Sequence, residues 1–331
     1  MVNLYITEQG ARLERLSERL VVRKNGTRLL EVPVKDVERV VIFGAVQVTT
    51  QALSLLLEKG IDVNLLTIHG KFKGKLCPGL SKNIDLRLAQ HDRLKDERFC
   101  LLFAQNIVGA KMKSQQAILR RYQRNHDKAD FTSEIASITS AVQLLLRQKN
   151  INSVRTIEGM ATAAYFRAFG RMVQSDLGFA GRNKHPPLDP VNGLLSLGYV
   201  LLARELAGLL EARGLDPFMG FYHTTKHGRR SLALDMLEEF RHSAVDRLTL
   251  ATLNTRAISA DDFENREDSR AYLKAESFRR YVGLYEDYLT RDFPVRRLRR
   301  RLSFRELFRI QVEKLARAVK SGEEYEPFAM K

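Results

Sequence analysis

The sequence is poor in cysteine and in long apolar runs. Its 331 residues include two cysteines, Cys77 and Cys100, which are too few for a disulfide framework or a zinc knuckle, so we expect reduced thiols in a cytoplasmic protein. No uncharged apolar run reaches the roughly 18 residues of a membrane span, and the best candidate, 193–210, is interrupted by Arg204 and Glu205. The basic and apolar regions of a signal peptide are also missing from the opening residues, MVNLYITEQG. These absences argue against a secreted or membrane-spanning protein.

Acidic residues are scarce relative to basic ones. There are 39 Asp and Glu against 55 Lys and Arg, which gives a formal net charge of +16. Such an excess of positive charge favours a polyanionic partner, and we expect nucleic acid rather than an anionic membrane surface. A chain of this length should form about two domains.

Strand-like and helix-like patterns occupy different parts of the chain and predict an α+β protein. Residues 1–76 are β-rich, with short runs of β-branched and aromatic residues and a hairpin signal at Asn25-Gly26. We expect a small sandwich-like domain here that packs against a partner or a second copy, because its acids are scattered and form no catalytic pattern. After a linker at 77–84, helical spacing predicts a larger all-α domain over 85–331 that carries the catalytic, metal-binding and DNA-binding residues.

The same patterns predict individual elements within these domains. The expected strands lie at 2–7, 19–24, 27–32, 39–43, 61–67 and 70–75, with a helix at 50–59. The expected helices lie at 84–124, 130–148, 153–170, 189–213, 231–256, 269–290 and 295–320. The first of these is long enough that a break within it is expected.

The stretch from Gly214 to His242 carries the strongest chemical pattern. Over 231–242, apolar residues cover most of a helix circumference, which indicates a buried helix. At about 100° per residue, the polar residues gather on one narrow stripe: Ser231, Asp235, Glu238, Glu239 and His242. Buried acids need partners, and His223 lies on the turn that leads into the helix. Carboxylates with one imidazole suit Mg²⁺ or Mn²⁺, so the pattern predicts a divalent-cation site.

Ordinary explanations exist for each of these residues taken alone. Asp235 and Glu238 are three residues apart on one helix face, and both could pair with nearby arginines, namely Arg229, Arg230 or Arg241. Glu158, in the segment NSVRTIEGMATAAYFRAFG, could be a solvated or paired helix glutamate. His223 could be a satisfied core histidine.

Candidate DNA contacts come from a cluster of basic residues and one aromatic residue. Five arginines crowd the segment VRRLRRRLSFR: Arg296, Arg297, Arg299, Arg300 and Arg301. They indicate either phosphate contact or a solvated helix face, since arginine suits phosphate but charge runs are often simply exposed. Tyr165 follows Glu158 by about two helical turns and therefore faces roughly the same way, so it is a further candidate for DNA contact.

Three longer motifs together resemble one known family. They are EGMATAAYF around Glu158, HPPLDPVNGLLSLGY, and GLDPFMGFYHTTKHGRRSLALDMLEEFR. They resemble the CRISPR-associated protein one family, an integrase, also described as an endonuclease, that captures new spacers. The similarity covers the helical part of the chain, and a β-rich start fits the family as well.

The resemblance implies a role for particular residues. Metal binding and catalysis would fall to Glu158, His223 and Glu238. Three further residues would support this site: Asp235, Asn192 and Ser196. The chain departs from the family at Tyr222, where an aliphatic residue is common, and at His242, which replaces a proline. His242 could alter the exit of the helix or add an imidazole to its acidic stripe.

The resemblance also implies an activity and partners. The activity is metal-dependent insertion of spacer DNA into the CRISPR repeat by transesterification from a 3′-hydroxyl, with water as the alternative nucleophile. The cofactor would be Mg²⁺ or Mn²⁺. The partners would be double-stranded or branched DNA (prespacer and repeat), a second copy of the chain, and a small ferredoxin-like CRISPR-associated dimeric protein, with no membrane. Two alternatives remain: a non-catalytic DNA-binding scaffold, and a stand-alone metal-dependent nuclease or transposon-borne integrase.

Overall fold

A computed structural model describes residues 2–68, 70, 72–77, 83–175, 177–183, 186–265 and 271–330 of the chain. The amino-terminal part is strand-rich and the rest is helical, which confirms the predicted α+β class. The chain forms two compact units, Met1–Leu80 with Tyr272–Glu286, and Ser81–Ala271 with Asp287–Lys331. Most of the predicted linker at 77–84 lies outside the described residues.

The first unit contains two four-stranded sheets and a short helix. Its elements are β1 Val2–Ile6, β2 Arg12–Leu16, β3 Arg19–Lys24, β4 Thr27–Pro33, β5 Val37–Phe43, β6 Gln47–Val48, α1 Thr50–Glu58, β7 Asp62–Leu66 and β8 Phe72–Leu76. One sheet has the strand order β1-β5-β7-β8, and the other has the order β4-β3-β2-β6. Branched and aliphatic side chains from both sheets and from α1 form one buried core.

The turn between β3 and β4 follows the sequence prediction. Asn25 and Gly26 adopt φ values of 50° and 78° and join two antiparallel strands, which confirms the hairpin. Strand β2 was not predicted, because three of its five residues are charged. Its second residue, Leu13, is nonetheless fully buried, so one apolar contact with the core is enough to place the strand.

Residues 272–286 belong to the first unit, although the sequence placed them in the helical domain. The ring of Phe278 packs edge-on against Phe43, with centroids 4.8 Å apart. Nearby, Arg279 Nη2 lies 2.6 Å from Glu8 Oε2. A helix that is far away in sequence therefore completes the packing of the strand-rich unit.

The remaining elements are mainly helices. They are α2 Ile84–Lys95, α3 Glu97–Asn125, α4 Thr132–Leu145, α5 Ile151–Met172, α6 Pro190–Arg213, α7 Ser231–Phe240, α8 Arg247–Asn254, β9 Phe263–Asn265, β10 Ala271–Leu273, α9 Ala275–Thr290, β11 Phe293–Val295, β12 Arg300–Leu302 and α10 Phe304–Ser321. A π-helical segment, Arg241–Asp246, joins α7 to α8.

Four predicted helices have boundaries that differ from the sequence pattern. The predicted helix 269–290 begins at Ala275, after strand β10 at Ala271–Leu273. The expected break in 84–124 occurs at Asp96, whose carboxylate caps α3 by accepting from the Phe99 amide at 3.0 Å. The predicted helix 231–256 is interrupted by the π-helical segment. The predicted helix 295–320 begins at 304, after a capping box formed by Ser303 and Glu306. The residues before that box form the antiparallel β11–β12 pair.

Helix α6 is long and apolar enough to cross a membrane by length and composition, and 61% of its most apolar window is buried within the fold. Its core position follows from Leu194, Leu195 and Leu202, which are fully buried. Helix α7 packs against α6 and also against α3, which in turn packs against α5. This arrangement brings α3, α5 and α7 together, and the polar residues on their facing sides meet inside the helical unit.

Candidate active site

Asp235 on α7 organises the turn that carries His223. Its Oδ2 atom accepts hydrogen bonds from the Phe221 amide at 2.7 Å and the Tyr222 amide at 3.1 Å. Its Oδ1 atom accepts from the His223 amide at 2.8 Å and lies 2.7 Å from His223 Nδ1. Because a carboxylate only accepts hydrogen bonds, Nδ1 carries the proton and the Nε2 lone pair is left for a ligand.

A glycine permits this turn to approach the helix closely. A Cβ atom on Gly220 would lie 2.7 Å from Ser231 Cβ and 2.8 Å from Asp235 Oδ2, distances that no side chain tolerates. The missing side chain at this position therefore lets three successive backbone amides, at residues 221–223, reach one carboxylate.

Glu158 on α5 and Glu238 on α7 meet at the ammonium group of Lys111 on α3. Lys111 Nζ is ion-paired with Glu158 Oε1 and lies 2.9 Å from Glu238 Oε2. His223 Nε2 is 3.9 Å from Glu238 Oε1. The structure therefore brings the three predicted metal ligands together although 80 residues separate the first from the last.

Two further groups fix the orientation of the glutamates. The Tyr222 hydroxyl donates to Glu158 Oε2 at 2.5 Å, and Arg241 Nη1 lies 3.2 Å from Glu238 Oε2. Tyr222, a departure from the family pattern, is thus directly involved in the site. Each carboxylate is held by hydrogen bonds or ion pairs from at least two directions, which limits its rotamers before any ligand arrives.

The ion pairs keep both glutamates charged. Burial alone raises the pKa of Glu158, but Lys111 and the Tyr222 hydroxyl more than offset this and hold its pKa below the ordinary value. Burial also raises the pKa of Glu238, but the charges of Arg241 and Lys111 more than offset this and lower it strongly overall. Burial lowers the pKa of Lys111, yet the two carboxylates leave it above its usual value.

A cavity of about 290 Å³ opens beside these residues. Its lining consists of Arg155, Glu158, Tyr222, His223, Thr224 and Arg229. Arg155 is fixed there, because its Nη2 donates to the Tyr222 carbonyl at 2.7 Å and its guanidinium lies over the Tyr222 ring. Two guanidinium groups beside a carboxylate and an imidazole suit a ligand that combines a phosphate with a cation.

The donor set fits a hard divalent cation. Among the described residues, no three His, Cys, Asp or Glu side chains already form a closed metal-binding group, because Lys111 lies between the two glutamates. The oxygens of Glu158 and Glu238 and the lone pair on His223 Nε2 are nevertheless ligands that Mg²⁺ and Mn²⁺ accept.

Asn192 and Ser196 lie on α6 and bind an arginine rather than a predicted ligand. Arg182 Nη1 donates to Asn192 Oδ1 at 2.7 Å, and its Nη2 donates to Ser196 Oγ at 3.1 Å. The Arg182 guanidinium lies over the ring of Tyr199 at 5.4 Å, and the Arg241 guanidinium also lies over that ring, at 4.5 Å. Asn192 and Ser196 are therefore connected to Glu238 only indirectly, through Arg182, Tyr199 and Arg241.

A second polar cluster, the sealed cluster, lies under the π-helical segment. It consists of Gln115, Tyr165, Tyr199, His242 and Asp246, and all five are buried. Asp246 Oδ2 lies 2.6 Å from His242 Nδ1 and accepts from the Tyr165 hydroxyl at 3.0 Å, while Oδ1 accepts from the Tyr199 hydroxyl at 2.5 Å. The His242 imidazole therefore joins Asp246, not the metal-site residues.

The sealed cluster corrects one sequence prediction. Tyr165 was expected to contact DNA, but it is fully buried and its hydroxyl donates to Asp246, so that prediction was wrong. The spacing from Glu158 correctly indicated one helix and a similar direction, but two turns further along α5 that face is buried by neighbouring elements. The π-helical segment begins at Arg241, one residue before His242, which agrees with the first of the two alternatives for His242, a changed helix exit.

Lys111 is a site residue that sequence reasoning missed, whereas the expected pairing of an acid on α7 with a nearby arginine is confirmed for Glu238 and Arg241. A pattern for Lys111 was present: Ala104, Ile107 and Val108 precede it at helical spacing on the buried face of α3. A lysine on such a face needs a buried acid.

The five arginines occupy the β11–β12 hairpin, and all of them are exposed. The hairpin turns at Arg299, whose φ is 50°. Two of the side chains have partners within the protein: Arg297 is paired with Glu326, and Arg301 Nη2 donates to the Asp292 carbonyl at 2.8 Å. The prediction of a helix at these residues was wrong, whereas the predicted solvent exposure of the five arginines is confirmed.

Comparison with known proteins identifies the family. The sequence profile of a family described as "CRISPR associated protein Cas1" matches residues 4–287. The chain belongs to the Cas1 family. The chain is 32% identical over 332 residues to "CRISPR-associated endonuclease Cas1 3" of Thermus thermophilus, covering 99% of this chain and 97% of the relative. It is 34% identical over 291 residues to "CRISPR-associated endonuclease Cas1 2" of Rhodospirillum rubrum, covering 84% and 83%.

Solved structures share the fold. A CAS1 protein from Thermotoga maritima superposes with a TM-score of 0.82 at 25% identity and covers all of both chains. A casposase bound to integration product superposes with a TM-score of 0.86 at 22% identity, covering 98% of this chain and 92% of the other. The second likeness concerns the fold alone.

Proposed function

We propose that this protein is a divalent-metal-dependent DNA endonuclease and integrase of CRISPR adaptation that joins a 3′-hydroxyl DNA end to the CRISPR repeat. One observation carries the proposal: Glu158, His223 and Glu238 converge from three segments beside a cavity lined by Arg155 and Arg229. Membership of the Cas1 family and the names of the relatives as endonucleases support the same activity.

Mg²⁺ or Mn²⁺ would be held by the carboxylates of Glu158 and Glu238 and by His223 Nε2. When bound, such an ion polarises a phosphodiester and stabilises the charge that develops on its oxygens. Asp235 keeps the proton on His223 Nδ1 and thereby aims Nε2 at the site. Arg155 and Arg229 are placed to hold the phosphate against the ligands.

The reaction is a direct exchange of two phosphate ester bonds. The attacking 3′-hydroxyl forms a new bond to phosphorus and releases its proton, while the bond from phosphorus to the repeat's own 3′-oxygen breaks and that oxygen takes up a proton. Water in place of the 3′-hydroxyl gives hydrolysis instead of joining. This route requires no covalent link between enzyme and DNA, and therefore no serine or cysteine nucleophile.

Strand joining by purified protein tests the proposal. Glu158→Gln and Glu238→Gln should each slow the joining of a 3′-hydroxyl end to repeat DNA by roughly 10²–10³, because the stabilisation of phosphate charge is lost. DNA binding, measured by fluorescence anisotropy, should change little. Glu239→Gln is the matched control, since Glu239 neighbours Glu238 but binds Gln311 and Tyr325. Joining at wild-type rates by Glu158→Gln and Glu238→Gln would indicate a different active site, and joining by none of the proteins would favour a non-catalytic scaffold.

Homodimerisation is assigned to the strand-rich unit. Leu16 on β2 and Leu29 and Leu30 on β4 are 51%, 48% and 42% exposed, and their strands flank β3 in one sheet. Exposed apolar groups gathered on a sheet suit an interface. Leu16→Glu with Leu29→Glu should give a monomer by sedimentation, and a persistent dimer would place the interface elsewhere.

A small CRISPR-associated partner is also expected, as one solved neighbour is a Cas6-RT-Cas1--Cas2 complex.

A further inference from the structure

Lys111 occupies an unusual position for a lysine. Its side chain is 3% exposed, and its Nζ contacts a carboxylate oxygen of Glu158 on α5 and of Glu238 on α7. In the described part of the chain, it is the cation that contacts both glutamates. Lysine is almost never fully buried unless it is paired, so these two carboxylates account for its burial.

The charges at this point balance without any metal ion. Glu158 and Glu238 contribute two negative charges, and Lys111 contributes one positive charge between them. Arg241 contributes a second positive charge, 3.2 Å from Glu238 Oε2. If a divalent cation joined these groups while both side chains stayed in place, the buried site would carry excess positive charge, which is strongly unfavourable away from water. Lys111 is the group that must move, because its ammonium lies between the carboxylates that would bind the ion.

We propose that Lys111 is a built-in counter-ion that holds the cation position of this site in the metal-free protein, so that metal binding is an exchange in which the ammonium withdraws. The inference rests on the proposed function, which assigns metal binding to Glu158, His223 and Glu238. The flexible four-carbon stem of lysine allows the ammonium to move without a change in the helix backbone. Lys111 therefore stabilises the metal-free fold and at the same time weakens the affinity for metal.

A purely structural role and a counter-ion role have opposite consequences for metal affinity. If Lys111 merely supported the packing of α3 against α5 and α7, its removal would distort the site and weaken metal binding. If it competes for the carboxylates, its removal strengthens metal binding while it destabilises the metal-free protein. The sign of the change in affinity separates the two.

The test measures Mn²⁺ binding and thermal unfolding of full-length Lys111→Met, with no reliance on activity. The dissociation constant for Mn²⁺, from isothermal titration or from the electron paramagnetic resonance of free Mn²⁺, should fall by about tenfold or more, the effect of one charge-assisted contact removed from competition. The metal-free unfolding temperature should fall, and saturating Mn²⁺ should raise it by more than in wild type. Lys113→Met is the matched control, because Lys113 is exposed on the same helix, and it should behave as wild type.

Each outcome is decisive. Weaker or unchanged Mn²⁺ binding by Lys111→Met overturns the inference. A variant that folds only when Mn²⁺ is present is the extreme form of the expected result, whereas one that stays unfolded in saturating Mn²⁺ overturns it. Lys111→Arg keeps the charge and should bind Mn²⁺ no more tightly than wild type; tighter binding would contradict competition. Absence of Mn²⁺ binding by wild type and Lys113→Met would instead refute the proposed metal site itself.

Discussion

The helical unit contains two histidine–aspartate pairs of nearly the same geometry and very different surroundings. His223 Nδ1 lies 2.7 Å from Asp235, and His242 Nδ1 lies 2.6 Å from Asp246. The second nitrogen of His223 faces Glu238 and a cavity, whereas that of His242 lies 3.1 Å from the side-chain amide of Gln115. The first side chain is 20% exposed and the second 1%.

A histidine–aspartate pair does not by itself define an active site, because its surroundings decide what the imidazole can reach. In the His223–Asp235 pair, the aspartate orients the imidazole toward Glu238 and a cavity. In the sealed cluster, the ring of Tyr165 packs against His242 with centroids 4.6 Å apart, and burial lowers the pKa of His242 even though Asp246 opposes this. The same two residue types therefore contribute chemistry in one place and stability in the other.

The largest expected effects come from removing each imidazole in turn. His223→Ala should slow DNA joining by roughly 10²–10³, because a ligand beside the reacting phosphate is lost, with a small effect on unfolding. His242→Ala should lower the free energy of unfolding by about 3 kcal/mol, since buried Asp246 loses one of its hydrogen-bond donors. Its activity per folded molecule should stay near wild type. Joining rates and urea unfolding of both variants provide the measurement, and a reversed pattern would exchange the two assignments.

The neighbouring acids Glu238 and Glu239 should make the stability of the protein depend on pH in opposite directions. Burial raises the pKa of Glu239 from 4.5 to about 7, although the Phe328 amide, Tyr325 and Gln311 donate to it. The native state therefore holds this proton more tightly than the unfolded state, so stability from this group is complete below pH 4.5 and is lost as pH rises through about 7. Each pKa unit corresponds to about 1.4 kcal/mol, giving about 3 kcal/mol in total.

Urea unfolding of wild type and Glu239→Gln across about pH 4 to 8 measures this effect. Wild type should lose about 3 kcal/mol relative to the variant as pH rises through that range. Glu238 should show the opposite sign, since Arg241 and Lys111 overcome its burial and lower its pKa: its contribution is present above its unfolded pKa and is lost in acid. Parallel pH curves for wild type and Glu239→Gln would show that Glu239 ionises normally.

Replacing Asp235 should affect metal binding, whereas replacing Asp246 should affect stability, and both effects should be smaller than those of removing the histidines. Asp235→Asn should weaken Mn²⁺ binding and joining by about 10–100-fold, because the imidazole is no longer oriented by a carboxylate. Asp246→Asn should leave Mn²⁺ affinity unchanged and lower the unfolding temperature. Equal losses of Mn²⁺ affinity in both variants would mean that the sealed cluster acts on the metal site through Tyr199 and Arg241.

The β11–β12 hairpin should give the smallest effects. Arg296→Ala and Arg300→Ala should each reduce the slope of log affinity for DNA against log salt by about 1 if each arginine binds one phosphate. Arg297→Ala should reduce it less, because Arg297 is already paired with Glu326. An unchanged slope in all three variants would leave the arginines as a solvated surface.

The sequence predicted the acids of the site better than their counter-ions. Helical spacing placed Asp235 and Glu238 on one stripe, and the family motifs added Glu158 and His223, because those residues stand in long characteristic segments. Lys111 belongs to no such motif, and its partners are 47 and 127 residues away. The local sequence contains no sign of such a distant pairing except that a charged residue stands on an otherwise apolar helix face.

The fold shows the same division between local and distant information. The Asn25-Gly26 hairpin and the Asp96 cap were predictable because their chemistry is contained in a few neighbouring residues. The π-helical segment at Arg241–Asp246 was hidden, since apolar spacing continues through it. Tyr165 was misplaced because its burial depends on Asp246, another distant partner, and the arginine hairpin because a charge run has no period.

An anomalous difference map from a crystal soaked in Mn²⁺ tests most directly whether Glu158, His223 and Glu238 bind the metal. We expect one strong peak within ligand distance of Glu158, His223 Nε2 and Glu238, with the Lys111 ammonium displaced from between the glutamates, and no peak at His242. Saturating Mn²⁺ that leaves Lys111 in place and gives no peak at these three residues would contradict the account.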